Sequence, residues 1–247
     1  MNITDDERMV VAAARELADG EVCFVGIGVP SLVALLAKRT HAPGLTLLYE
    51  SGAVDTVPPV PPLSTGSPTV IDDAACVVGC LDIFGSLQAG HMDVGILSGA
   101  QIDRRGNLNS TVIGDYASPK LRMVGSGGAH DIATLIGRVL IVMPHEPRRF
   151  VDRVAFITSP GYPDTGVPRS DMPGGGPAAV ITPRGKFTFE DGEMTLAAVQ
   201  AGFTPLDAIE GFGWTVRIKG RVDELPPPDP AIVEILRKQV DRTRGAK

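Results

Sequence analysis

The stretch LTLLYESGAVDTVPPVPP, Leu45 to Pro62, sets a carboxylate where an apolar strand gives way to a loop punctuated by Gly and Pro. Glu50 follows Tyr49 and precedes Ser51-Gly52. A glutamate at the carboxyl end of a parallel strand sits where open α/β sheets keep their sites. An ordinary glutamate titrates near ~4.3, so it is ionised at neutral pH without a general base. Dried and aimed at an activated carbonyl, such a carboxylate becomes a nucleophile. The plain alternative is a strand-end glutamate facing solvent, and position alone does not choose between them.

Other stretches offer complementary chemistry. GIGVPS follows an apolar run and opens a helical one, but Ser31 stands where a dinucleotide fingerprint has its third glycine. The segment reads better as Gly26 and Gly28 letting backbone approach a ligand, with helix amides facing an anion. VGSGGAHD carries Gly125, Gly127 and Gly128, which permit positive φ and a nest of converging N–H groups for a phosphate or an oxyanion. A purely structural glycine turn is the other reading. SGAQIDRRGNLNST, Ser98 to Thr111, joins a strand end, an Asp and a turn, and suits a tight hairpin equally well. PHEPRRF puts Glu146 beside Arg148-Arg149, either a solvated charged turn or an anchor for a carboxylate, a phosphate or a partner.

The elements that must position these groups follow from pattern. Residues 2–21 read as a helix, with Thr4 and Glu7 as a capping box and Gly20 at C′. EVCFVGIG reads as a buried strand, VPSLVALLAKRT as a helix with Pro30 in its first turn, and LTLLYE as the next strand. That order predicts a βαβ unit. Apolar runs VGILSG, LRMVG, RVLIVM, RVAFITS and AAVIT follow, with helical patterns at LDIFGSLQAG, TPLDAIEGF and DPAIVEILRKQVDR. The expected class is α/β, a mainly parallel sheet layered with helices in one domain over residues 1–247. A surface loop rich in Pro and Gly is expected near residues 159–177.

Composition narrows the function classes. The 247 residues are 43% hydrophobic and 21% charged, which marks a globular chain with a sizeable core. Net charge is −6 and pI about 5.2, against a general nucleic-acid binder. No apolar run approaches a membrane span, and the acidic start MNITDDERMV lacks a secretory h-region. Cys23, Cys76 and Cys80 with four scattered His suit small buried hydrophobes in a reducing cytoplasm better than a metal site.

Three long blocks then carry a resemblance: residues 26–52, Ser98 to Thr134, and MPHEPRRFVDRVAFITSPGY. Together they resemble the β subunits of class I CoA-transferases, of the glutaconate CoA-transferase type, over most of the chain. The resemblance implies the sugar-phosphate-isomerase-like fold of that family and a glutamate nucleophile in an E-S-G or S-E-N-G turn, the position of Glu50. YESG agrees with the glutaconate-like branch rather than the oxoacid one. It further implies an oxyanion-hole amide at Gly127 or Gly128, and a substrate and CoA surface including Gly26, Gly28, Ser51, Gly52, Gln101, Gly125 and Ser126.

The activity so implied is ping-pong transfer of CoA between an acyl-CoA and a mono- or dicarboxylic acid through a glutamyl-CoA thioester. CoA is a substrate, with no metal and no tightly bound cofactor. A separate α subunit of related fold is implied, in an αβ or α₂β₂ cytoplasmic assembly. Hydrolases and decarboxylases of CoA thioesters use the same scaffold, and a non-catalytic ligand-binding or regulatory subunit is the rival from another class. A dicarboxylic substrate calls for a cation near its distal carboxylate, for which Arg104, Arg105, Arg148, Arg149 or the α subunit are candidates.

Overall fold

In the computed structural model, which describes residues 2–164 and 167–240, the first element is helix α1, Asp5–Ala14. Its start is the capping box read from sequence: the Glu7 amide donates to Thr4 Oγ1 at 3.3 Å, and the Thr4 amide to Glu7 Oε2 at 2.9 Å. Its end differs from expectation. The helix stops at Ala14, and the amides of Glu16 and Leu17 reach back in a tight turn that tucks Leu17 into the core. Gly20 therefore closes a second turn rather than capping the helix, with φ at 82°.

The chain forms two compact units, Leu97–Pro226 and the remainder. In the first unit, strand β1 (Val22–Phe24) leads through helix α2 (Val29–Lys38) to strand β2 (Thr46–Leu48). The strands pair in parallel, Val22 opposite Thr46 and Phe24 opposite Leu48. This is the expected strand–helix–strand unit, and Pro30 sits in the first turn of α2, where its missing N–H costs nothing. Strands β3 (Ala53–Val54) and β4 (Cys76–Val77) extend the sheet antiparallel, helix α3 (Cys80–Gln88) follows, and β5 (Val94–Leu97) pairs in parallel with β1. Helix α1 packs on α2, whose Val33, Ala34, Leu35 and Leu36 are fully buried. Burial of each large apolar side chain there contributes ~1.5–3 kcal/mol. Of the cysteines only Cys23 is buried; Cys76 and Cys80 are exposed, because β4 lies on the sheet edge and Cys80 opens a helix that buries only Ile83 and Leu87.

The second unit begins with two small hairpins, β6 (Gln101–Ile102) with β7 (Leu108–Asn109) and β8 (Val112–Gly114) with β9 (Pro119–Arg122). The LRM run therefore lies on an exposed hairpin. Helix α4 (Ala129–Leu135) follows, and then strands β10 (Arg138–Val142), β11 (Pro177–Ile181), β12 (Gly185–Glu190), β13 (Glu193–Gln200) and, after helix α5 (Pro205–Ile209), β14 (Arg217–Leu225). Pairing is parallel for β10–β11 and β13–β14 and antiparallel between them. RVAFITS forms no strand: the Thr158 amide bonds Leu108 O, and its hydroxyl goes to Ser110 N and Thr111, so the segment ties down hairpin residues instead of extending a ladder. The loop near 159–177 carries a short 3₁₀ turn at Arg169–Asp171; its Thr165 and Gly166 lie outside the described residues.

The chain returns to the first unit with helix α6 (Pro230–Ile235) and a wider turn, Leu236–Val240. There Arg237 Nε and Nη2 meet the buried Glu7 carboxylate at 2.6 and 2.8 Å. Hydrogen bonding from Arg237 lowers the Glu7 carboxyl from 4.5 to about 2 despite burial. A depressed carboxylate contributes stability above its unfolded value and loses it as pH falls through the folded one. The melting temperature is thus expected to drop between pH 4.5 and 2, and Glu7→Gln to be several degrees less stable at neutral pH with a flatter acid profile, both read by calorimetry. A second expectation concerns Gly52, whose φ is 111° and where an added Cβ would lie 1.9 Å from the Val78 carbonyl oxygen. Gly52→Ala should cost more than ~3 kcal/mol in denaturant unfolding, and the control Gly20→Ala, with open space around it, only ~1–2.

Candidate active site

Strand β2 ends in a tight turn in which the Gly52 amide bonds Tyr49 O at 2.9 Å and the Tyr49 amide bonds Ala53 O at 3.0 Å. Tyr49 points into the core and is fully buried. Burial pushes its phenol up to about 12, partly offset by the neighbouring Ser31 hydroxyl, so it stays neutral. Glu50, the next residue, is half-buried, and among the described residues its carboxylate has no hydrogen-bond or ion-pair partner. The contrast within the same unit is Glu7, whose oxygens are spent on Arg237 and Thr4. A carboxylate left unpaired on a fixed turn keeps its lone pairs for reaction.

The turn is held from both sides. The exposed Ser51 donates its hydroxyl to Thr65 O, and the Val78 amide donates to Gly52 O at 3.0 Å. The loop after β1 lies beside it, because the Val25 amide bonds Leu48 O at 2.9 Å and continues the strand pairing. Gly26 follows, its carbonyl accepting from Ser31 Oγ at 2.7 Å, and Gly28, with φ at 82°, leads into α2. Thus the structure brings Gly26, Gly28, Glu50, Ser51 and Gly52 to the carboxyl ends of two adjacent parallel strands.

The remaining predicted residues lie in the second unit. Gly125 and Gly127 take positive φ, 89° and 47°, whereas Gly128 is α-helical at −79° because it caps α4. The Gly125 amide bonds Ser110 O and its carbonyl accepts from Ser110 Oγ, while Ser126 O and Oγ receive the amides of Ala129 and His130. Among the described residues the amides of Gly127 and Gly128 have no acceptor, although Gly128 is buried. A buried amide without a partner is rare, and such a pair is suited to an anionic oxygen.

Gln101 is set by a residue that sequence reasoning passed over. Asn109, fully buried, donates to Gln101 Oε1 at 2.8 Å and to Val112 O at 2.7 Å, while its own oxygen accepts from Thr111 N and Val112 N. The only sequence signal was a polar residue inside an apolar alternation, NLNS. His130, equally unforeseen, donates Nδ1–H to Thr158 O at 3.1 Å, which leaves Nε2 as the bare nitrogen of the neutral ring. The Asp103 turn is structural: its carboxylate accepts from the amides of Arg105 and Asn107 and from the Asn107 side chain. Burial raises its pKa.

This arrangement is shared with known proteins. The sequence matches the family described as Coenzyme A transferase over residues 6–204. It is 44% identical over 246 residues to the β subunit of the 3-oxoadipate CoA-transferase of Pseudomonas knackmussii, covering 98% of this chain and 95% of that one. The β subunit of the glutaconate CoA-transferase of Acidaminococcus fermentans is 38% identical over 251 residues, with coverages of 97% and 93%. The solved glutaconate coenzyme A-transferase of A. fermentans superposes with a TM-score of 0.89 at 35% identity, covering 98% of this chain and 96% of that one. The decarboxylase AibA/AibB shares the fold at TM-score 0.82 and 24% identity, with coverages of 98% and 96%. Both the α/β architecture and the sequence thus place this chain in the coenzyme A transferase family, as a CoA-transferase chain of the β type.

Proposed function

We propose that the chain is the β subunit of a cytoplasmic CoA-transferase whose nucleophile is Glu50, both units acting as one domain together with a separate α subunit of related fold. The observation that carries this reading is the unpaired Glu50 carboxylate on a turn fixed at the carboxyl end of a parallel strand. Relatives that are each one subunit of a larger enzyme support the partner, in αβ or α₂β₂ form. The relatives named for 3-oxoadipate and glutaconate support a dicarboxylic substrate.

Glu50 attacks the thioester carbonyl of the acyl-CoA; the C–S bond breaks, giving an acyl-glutamyl anhydride and CoA thiolate. The thiolate attacks the glutamyl carbonyl, expels the first acid and leaves a glutamyl-CoA thioester. A second carboxylate attacks that thioester, and the sequence runs in reverse to release the new acyl-CoA. Each tetrahedral intermediate carries its charge on one oxygen, which the free amides of Gly127 or Gly128 would receive. Gly26, Gly28, Ser51, Gly52, Gly125 and Ser126 line the approach, where small side chains and open backbone leave room for the thioester. CoA enters and leaves as a substrate, and every step exchanges carboxylate for thiolate.

Glu50→Gln in the enzyme assembled with its α subunit should lower CoA transfer by ~10³-fold or more. Intact mass after brief exposure to acyl-CoA without acceptor should show a CoA-sized covalent gain on this chain, absent from Glu50→Gln. Release of CoA with no adduct and no dependence on acceptor acid would mean hydrolysis instead. Binding of acyl-CoA with no turnover would mean a ligand-binding subunit.

A further inference from the structure

The second unit holds a cavity of about 390 Å³ lined by Ala100, Gln101, Ile113, Leu121, Arg148 and Arg149. It forms because the Ile102 amide bonds Arg149 O at 2.7 Å and the Val151 amide bonds Ile102 O, which lays the Arg148-Arg149 segment alongside β6. Its walls are mainly hydrocarbon, and its volume falls in the ~300–1,000 Å³ range of ligand clefts. Three directed polar features break that surface.

Gln101 Oε1 is occupied twice, by Asn109 Nδ2 at 2.8 Å and Ala155 N at 3.1 Å. Its amide orientation is thereby fixed, and among the described residues its NH₂ has no acceptor. Arg148 and Arg149 both place Nε on the same Glu146 oxygen, at 2.7 and 3.1 Å. Arg149 spends one further nitrogen on Gly99 O at 3.0 Å. Its other terminal nitrogen and both of Arg148 have no acceptor among the described residues. The two guanidiniums against one carboxylate leave a net charge of one positive unit, and the contact with Arg148 keeps Glu146 ionised.

We propose that this cavity binds the distal carboxylate of a dicarboxylic acyl group, with Gln101 Nε2, Arg148 and Arg149 as donors and the hydrocarbon walls against the methylene chain. The proposal rests on the transferase reading above and names its substrate class. One positive unit matches one carboxylate, whereas a CoA phosphate would bring nearly two negative charges. The other arginine pair is unsuited: Arg104, Arg105 and Arg153 line a second cavity with Asp103, Asp152, Asp164 and Glu193, a net negative set already paired within itself.

The test uses the enzyme assembled with its α subunit and compares glutarate with valerate, acids of one chain length, as acceptors from a fixed acyl-CoA. Arg148→Gln alters an exposed side chain, and Gln101→Glu keeps the anchored Oε1 while replacing the donor by an anionic oxygen. Each should lower the glutarate-to-valerate ratio of kcat/KM by about tenfold or more, the size of one lost charge-assisted contact. Arg148→Lys, which retains the charge, should recover part of the ratio. An unchanged ratio overturns the proposal and leaves the transferase reading standing. A penalty equal for both acids that disappears with a dephospho-CoA thioester also overturns it, assigning the cavity to the CoA phosphate. Calorimetric titration with glutarate separates the two readings further: binding weakened by both variants in an assembly that transfers no CoA supports the cavity and removes the transferase reading.

Discussion

The parallel pairing of β1 with β2 is the constraint from which the rest of the first unit follows. Three residue pairs, Val22–Thr46, Cys23–Leu47 and Phe24–Leu48, fix the register, and the Val25 amide on Leu48 O carries it one step beyond the strands. A one-residue slip would exchange the faces of every side chain on β2. Leu47 and Tyr49 would then leave the core and Glu50 would enter it. Because those apolar groups are fully buried, the slip would cost several large side chains their burial, so the register that packs the core also decides where the carboxylate stands.

Within that frame, hydrogen-bonding capacity is spent unevenly. Asn109 uses both donors and both acceptor positions, Asp103 collects donors from its own turn, and Glu7 is saturated by Thr4 and Arg237. These groups hold structure, since a buried polar atom left unmade is costly. Glu50, the amides of Gly127 and Gly128, and the Gln101 NH₂ are the exceptions, left unspent at or near fixed turns. Unsatisfied groups held by satisfied neighbours are what an active site requires, because their orientation is set before substrate arrives.

What the sequence disclosed divides along the same line. The strand–helix–strand order at 22–48 and the Thr4–Glu7 cap were legible because period, proline and capping chemistry act over a few residues. Partners distant in sequence were not. Nothing near Glu7 announces an arginine 230 positions away, and nothing in SGAQID announces Arg149. The Cys76 and Cys80 expectation failed because edge position is a property of the sheet, and RVAFITS missed its strand because Thr158 turned its hydrogen bonds to the hairpin. Gly128 shows the limit of composition: glycine permits positive φ, but the start of α4 demands helical backbone there. The role of Glu50 came from resemblance; its spacing alone fitted a solvated strand end equally well.

Tyr49 is the step that joins the core to the chemistry. Successive side chains of a strand face opposite ways, so a large ring driven inward at one position turns its neighbour outward. The phenol is buried with no hydrogen bond of its own, since the adjacent Ser31 hydroxyl is committed to Gly26 O. That is a cost in stability. It is borne at the residue that fixes the backbone under Glu50, and the same Ser31 ties the Gly26 loop to the first turn of α2. A phenol held neutral up to about pH 12 adds no negative charge beside the glutamate as it attacks. Packing on the inner face thus supplies both the aim and the electrostatic quiet that a carboxylate nucleophile on the outer face needs.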